Sequence, residues 1–450
     1  MNNLEKTPPL PYPLSRKTRL SIMFTLMGLF FLITPALILS ARGFNFDFSS
    51  KTFIHGGALS IESNPNATTL FLNAIKVRSQ APFRTSHLLP GNYQVRLERP
   101  GYYVWEMPFS IVSNQTTYVH GIDLFRIQKP ILTLQNEKNT GLLSFSEKND
   151  SLVFTQKREN IFEVISLDPK KFEQNLLTRV ISESNPVVEW SPNQDALSVQ
   201  YIFENNTNLL LFNPTNSTRI QTLTVASSSL PQIQWSGPGM ETALFLQNKN
   251  KIQKMNLNTT VDFHTLSTSS VVWFVDQKEA VWEFVDNSLQ KFEGGKKSLS
   301  IEVPFAVSKI LDVNEDRIIA ISQKDVIVLH LNNNTLTSRE VFPFGGYKLN
   351  KTTQSYFVWF QGELRSISKD GSIQFINRFS QDIQTVDALT SNTILIGLQD
   401  KLIAFHPTFF HTQELVNADA IEHVYVSEKR REIYFLGVIQ GKHGVWSVGF

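Results

Sequence analysis

The feature that most restricts this chain is a weak internal repeat. An apolar, strand-like run closing on a polar or turn residue recurs eight times: Ile161–Pro169, Leu209–Pro214, Ile252–Leu257, Leu289–Phe292, Val326–Leu331, Leu364–Ile367, Leu402–Phe405 and Val445–Val448. With Leu167, Phe212, Leu257, Phe292, Leu331, Ile367, Phe405 and Val448 as markers, the steps are 45, 45, 35, 39, 36, 38 and 43 residues. A period near 40–45 made of short strands predicts four-stranded propeller blades, each unit ending in its apolar strand. A helical solenoid of similar period requires 3.6-residue patterning, which these runs lack. The expectation is a seven- or eight-bladed β-propeller over residues 130–450. Segment 130–155 would pair with the last strand to close the ring and remove exposed edges. Its Trp and Phe residues are expected between blades as core rather than as ligand platforms.

A second marker precedes the first in several units. Val187-Val188-Glu189-Trp190-Ser191-Pro192 and Ile233-Gln234-Trp235-Ser236-Gly237-Pro238 both run into Trp-Ser and a Pro turn, with weaker echoes at Val272-Trp273, Tyr356–Trp359 and His423-Val424-Tyr425. These runs resemble the Trp-Ser-Pro repeats of TolB-like or WD40-like propellers. Asn193-Gln194-Asp195 stands where that pattern has Asp-Gly, so the resemblance is to the architecture.

Leu20 to Ala41 is a run of 22 residues without a charge. As a helix it spans roughly 30 Å, enough for a bilayer, and Gly28 and Pro35 are tolerated there. It exceeds the apolar region of a cleaved signal peptide. Cuts after Ala41 or Ser40 would also set Leu39 or Ile38 where a small residue is needed, so a retained signal anchor is expected. Lys6, Arg16, Lys17 and Arg19 precede it, opposed by Glu5, whereas Arg42 alone follows closely. The positive-inside rule puts residues 1–19, a Pro-rich disordered tail, in the cytoplasm and the bulk of the chain outside, beyond a plasma (inner) membrane.

After a linker at 42–54, residues 55–125 read as short alternating strands. Leu59, Ile61 and Ser63 begin one; Thr69, Phe71 and Asn73, then Tyr93, Val95 and Leu97, mark others. Turn chemistry sits at Ser63–Asn66, Leu89–Asn92 and Arg99–Gly101. Five to seven strands in about 70 residues make a small sandwich. The run Gly57–Pro65, with Leu72-Asn73, Ala81-Pro82, Leu89–Val95, Gly101-Tyr102 and Trp105, resembles a PEGA domain. Asn66-Ala67-Thr68 departs from that family's acidic-Gly-Ala turn, and Ala67 tolerates positive φ poorly. The resemblance implies a spacer or binding module of bacterial or archaeal surface proteins and no enzyme.

Composition narrows the chemistry. Cys is absent, which excludes disulfides, thiolate zinc sites, a thiol nucleophile and a lipid-modified Cys. A net charge of +2 with no concentrated basic face argues against nucleic acid. Phe, at 34 residues, favours strands. No hydrolase elbow, zincin helix or phosphate loop is present. His406 and His411 bracket Pro407–Phe410 and read as an unrelated loop pair rather than metal ligands. Ser368-Lys369-Asp370-Gly371-Ser372 resembles an Asp-box but lacks its Trp and reads as a hairpin turn. Sequons at Asn66, Asn114, Asn258 and Asn350 read as compositional. Phe450 resembles the last residue of outer-membrane barrels, but no lipid-facing strand repeat accompanies it. No catalytic, metal or cofactor-binding residue is assigned. The sequence therefore predicts an all-β, membrane-anchored scaffold: bilayer contact through residues 20–41, and recognition of an envelope protein or cell-wall glycan by the propeller. The alternative is a propeller enzyme acting on polysaccharide. Acidic side chains clustered at the channel mouth would favour it; a pocket of Ser, Asn and aromatics alone would not.

Overall fold

The computed structural model describes residues 15–450 except 48–51, 78–80, 136–139, 147, 170, 172, 214–217, 226–231, 238–240, 257–258, 269–270, 304, 315 and 333–334. Glu5, Lys6 and most of the expected tail lie outside the described residues, as do the marker Leu257, the turn residues Pro214 and Pro238, and the sequon at Asn258. The chain divides into two compact units, 1–126 and 127–450.

The first unit opens with helix α1, Arg16–Ala41, which is long and apolar enough to cross a membrane, with a mean hydropathy of 2.4. It starts four residues before the uncharged run. Arg and Lys are good helix formers, and the Ser15 hydroxyl accepts from the Thr18 N–H at 3.2 Å, capping the new end. It stops where Gly43, at φ +84°, donates its N–H to the Ser40 carbonyl. The linker expected at 42–54 is not structureless. β1 (Phe44–Asp47) and β2 (Thr52–His55) form a two-stranded antiparallel sheet that begins within it and ends one residue beyond.

Seven strands follow: β3 (Gly57–Asn64), β4 (Thr69–Leu72), β5 (Ile75–Val77), β6 (Phe83–Leu88), β7 (Gly91–Glu98), β8 (Trp105–Ile111) and β9 (Thr116–Asp123). They make two sheets, β6-β3-β9 and β5-β4-β7-β8, with β3 and β9 parallel. Alternation along β7 buries Val95 and Leu97 and leaves Gln94 and Arg96 outside. Leu59, Ile61, Leu70, Trp105 and Val119 complete the core. A Cβ at Gly57 would clash with Ile111 and the Val112 carbonyl, so this close approach requires glycine. Asn73, which the alternation marks as a strand residue and the PEGA-like pattern places at the next turn, begins that turn with Ala74, both at positive φ (49° and 67°). The departing Ala67 is not at positive φ. The chain turns through a cis Asn64–Pro65 peptide, and the Ser63 hydroxyl accepts from the Ala67 N–H at 2.9 Å.

The second unit is the propeller. Among the described residues it holds eight four-stranded antiparallel sheets. Sheets 1 to 7 span residues 140–181, 187–225, 233–265, 272–302, 309–343, 346–378 and 385–417. Sheet 8 combines residues 420–449 with β10 (Ile131–Gln135). Each sequence marker among the described residues falls on the third strand of its sheet. The unit therefore does not end there, because a fourth, outer strand follows. The third strand run Leu209–Phe212 is unbroken and apolar because both of its faces are buried. Leu209 and Leu211 pack toward sheet 3, while Leu210 and Phe212 pack toward sheet 1. The Trp-Ser runs are first strands, as is His423–Tyr425, but Tyr356–Trp359 is a second strand and not an equivalent.

The ring closes through β10, whose Ile131 and Leu132 pair with Ser447 and Trp446 of strand Lys442–Gly449. The seam also has its own core. Phe145, Leu152 and Leu167 of sheet 1 pack with Tyr434, Leu436 and Val445 of sheet 8. Arg430 of sheet 8 forms an ion pair with Asp150 of sheet 1. Phe450 is buried beside this edge, its N–H donating to the Arg431 carbonyl at 2.9 Å. Elsewhere buried polar latches join neighbours. His264 of sheet 3 meets Glu283 of sheet 4 at 2.7 Å, and the Ser267 N–H and hydroxyl donate to the same carboxylate. Burial works against ionisation of Glu283, but these bonds outweigh it and hold its carboxyl below the usual range.

Two outcomes follow from this architecture. Gly444 pairs against β10, and a Cβ there would strike the Leu134 carbonyl. Gly444→Val should cost about 1–3 kcal/mol, read as a lower denaturant midpoint of the propeller. Glu283 has a depressed folded pKa, so its contribution is present above the unfolded value near 4.5 and is lost as pH falls through the folded value. Glu283→Gln should lower stability at neutral pH and flatten its decline below pH 4.5, measured by denaturant titrations across that range.

Candidate functional site

First strands face the ring axis, and all but the first and last are short: Thr140–Ser146, Val187–Trp190, Ile233–Trp235, Val272–Val275, Lys309–Val313, Gly346–Asn350, Thr385–Ala388 and Ala420–Ser427. Those of sheets 1 and 2, 4 and 5, 6 and 7, and 7 and 8 touch directly. Between sheets 3 and 4, side chains make the junction. Gln234 accepts from the Val275 N–H at 2.9 Å and donates to the Val275 carbonyl at 2.7 Å, and Gln232 donates to the Trp273 carbonyl at 2.5 Å. The amides satisfy backbone groups that a first strand would otherwise leave open.

Five sheets contribute to a cavity of about 470 Å³ at the end of the channel where first strands turn into second strands. Its wall includes Phe145, Glu189, Trp190, Lys348, Asp387 and Tyr425. Lys348 is the hub: its ammonium lies 3.3 Å from Asp387 and 5.0 Å from the centre of the Tyr425 ring. Burial, reinforced by the Asp387 charge, pushes the Tyr425 hydroxyl up, so it stays a neutral phenol. Glu189 keeps surface open to the channel yet is crowded by protein. That crowding raises its carboxyl above the usual range, with Lys309 opposing the shift. Lys309 in turn donates to the Tyr347 hydroxyl at 2.9 Å.

A second cavity of about 390 Å³ opens on the same turn face, and Leu349 lines both. Its wall is an inter-sheet latch. The buried Arg317 guanidinium bonds Asp312 at 2.8 Å and donates to the Lys369 carbonyl at 2.5 Å. Lys369 belongs to the run Ser368–Ser372, which is the hairpin turn the sequence predicts: Gly371 takes φ +89°, and Asp370 accepts from the Ser372 N–H and hydroxyl. Tyr356 donates to the Leu311 carbonyl at 3.1 Å. Lysines and carboxylates interleave over both cavities, with Lys291, Lys348, Lys351 and Lys369 among Asp276, Asp312, Asp387 and Glu428. Such a face suits a polar or zwitterionic ligand rather than a polyanion.

The other sequence candidates stand apart from this face or serve structure. His406 and His411 are not an unrelated loop pair; they are opposed partners closing a hairpin, paired in register. Burial, then the His406 charge, lowers the His411 pKa. Among the described residues no group of three His, Asp or Glu side chains could hold a metal ion. Asn350 is buried and caps its own turn, accepting from the Thr352 N–H at 3.1 Å, whereas Asn66 and Asn114 are exposed. Trp273 is wholly buried between sheets 3 and 4 as expected, but Trp190 lines the channel cavity. Glu189 and Tyr425 sat unmarked inside the quoted first-strand runs. Lys348 and Asp387 carried no sequence signal.

No curated protein sequence matches the chain. Among solved structures, the C-terminal WD40 domain of Sif2 is similar at 9% identity and a TM-score of 0.47, covering 72% of this chain and 99% of that one. An uncharacterized protein of Listeria monocytogenes EGD-e is similar at 10% identity and a TM-score of 0.41, covering 63% and 96%. The family model for the PEGA domain matches residues 56–121, the two-sheet module described above.

Proposed function

We propose that this protein is a membrane-anchored, extracytoplasmic binding protein of the cell envelope. In this reading α1 is the anchor, the PEGA module a stalk, and the propeller's turn face the recognition surface for a protein or glycan. The observation that supports it most is the cavity where Lys348, Asp387, Tyr425, Glu189 and Trp190, drawn from four sheets, converge at one end of the channel. A closed ring holds such groups rigidly, which lowers the ordering cost of binding. Aromatic walls, interleaved charges and neutral polar groups suit hydrogen-bonded recognition of peptide or sugar. A second reading has one observation in its favour: Glu189, its carboxyl raised by crowding, shares the cavity with Asp387, and two carboxyl groups, one of raised pKa, are what glycoside cleavage uses.

The test pairs topology with binding. A reporter fused after residue 450 should be active only outside the cytoplasm. Full-length protein in detergent should capture an envelope protein or bind cell-wall glycan, and Lys348→Ala with Tyr425→Ala should weaken that binding at least about tenfold, or roughly 1.4 kcal/mol. Binding unchanged in that double variant would remove the cavity from the account. Glycan turnover abolished by Glu189→Gln would replace the binding reading with the enzymatic one.

A further inference from the structure

We infer that the β1–β2 hairpin is a second membrane-contacting element, lying in the lipid headgroup layer with its aromatic face toward the acyl chains. This rests on α1 being a membrane anchor, as proposed above. The register pairs Phe44 with His55 and Phe46 with Phe53. Directly opposed residues share a face, and alternation puts all four on the same one. The rings meet there: Phe46 and Phe53 at 5.2 Å edge to face, Phe44 and His55 at 3.7 Å. Phe46 and Phe53 nevertheless remain 40% and 50% exposed. The sheet has only two strands, and such hairpins are marginal in water without further apolar cover.

Chain length fixes what can supply that cover. The 26 residues of α1 rise about 39 Å, and its uncharged part, ending at Ala41, about 33 Å, which fills a hydrocarbon core of roughly 30 Å. Only Arg42 and Gly43 separate Ala41 from β1, so the Phe44 Cα lies at most about 11 Å beyond the helix. The headgroup layer on each side is roughly 5–8 Å deep, so the hairpin starts within or just above it. Its base is tied back to the helix end, because the Gly56 N–H donates to the Gly43 carbonyl at 2.9 Å. An aromatic face delivered to that depth meets the layer where aromatic rings and amphipathic elements anchor proteins. The hairpin would thereby fix the angle at which the chain leaves the membrane.

Because the chain has no Cys, single cysteines can be spin-labelled without background. Full-length protein would be labelled at Phe53→Cys, Phe46→Cys, Thr52→Cys or Leu32→Cys and reconstituted into vesicles of phosphatidylethanolamine and phosphatidylglycerol. Collisions with oxygen and with a water-soluble nickel chelate then report depth. The inference predicts a deep label at 32, oxygen-favoured labels at 46 and 53, and a nickel-favoured label at 52 on the opposite face. A deep label at 32 with 46, 53 and 52 all equally aqueous overturns the hairpin's role and leaves the anchor standing. An aqueous label at 32 overturns the anchor itself, and this inference with it.

Discussion

The pairing of β10 with strand Lys442–Gly449 is the constraint on which the rest of the second unit depends. It joins segments more than 300 residues apart, and Ile131 and Leu132 reach Ser447 and Trp446 only if every intervening sheet has taken its place. Without it sheet 8 would have three strands and present an open edge, the exposure that β-proteins must cover. The seam also shapes the channel cavity. Phe145 and Tyr425, which line the channel cavity together, come from sheets 1 and 8 on either side of it. Buried hydrophobic contact across the seam and the Arg430–Asp150 ion pair add to the backbone ladder, so closure and cavity shape are coupled.

What could be read from the sequence follows burial. Third strands such as Leu209–Phe212 are buried on both faces, so they stand out as continuous apolar runs, and their spacing reports the sheets one for one. Second strands are buried in the same way. That is why Tyr356–Trp359, on a second strand, resembles the Trp-Ser marker of first strands. Fourth strands face solvent and carry no comparable signal, so the apolar pattern of each unit stops one strand before the sheet does. Four-residue strands such as β1 and β2 are too short for periodicity to register, and the pairing of His406 with His411 is not a property of spacing alone.

The site was legible only in fragments. Glu189 and Tyr425 lie within first-strand runs that the Trp-Ser pattern exposes. Their partners Lys348 and Asp387 sit on strands with no marker, and the cavity gathers residues from 144 to 428. Such constellations depend on the angular position of each sheet around the axis, which no local pattern encodes. The polar residues that did look chemical mostly turned out to bind the ring together. Lys369 receives the buried Arg317, and Asn350 caps a turn. Glu283, held by His264 and Ser267, is of the same kind although nothing in the sequence marks it.

Hydrogen exchange along the seam tests this account most directly. If the ring is closed by β10, the amides of Ile131–Gln135 should share the protection of strand Lys442–Gly449 and lose it in the same cooperative step as sheet 1. Rapid exchange of residues 131–135 while strand Lys442–Gly449 stays protected would contradict it. That result would mean the ring is held by side-chain packing alone and that the channel face is not fixed by closure.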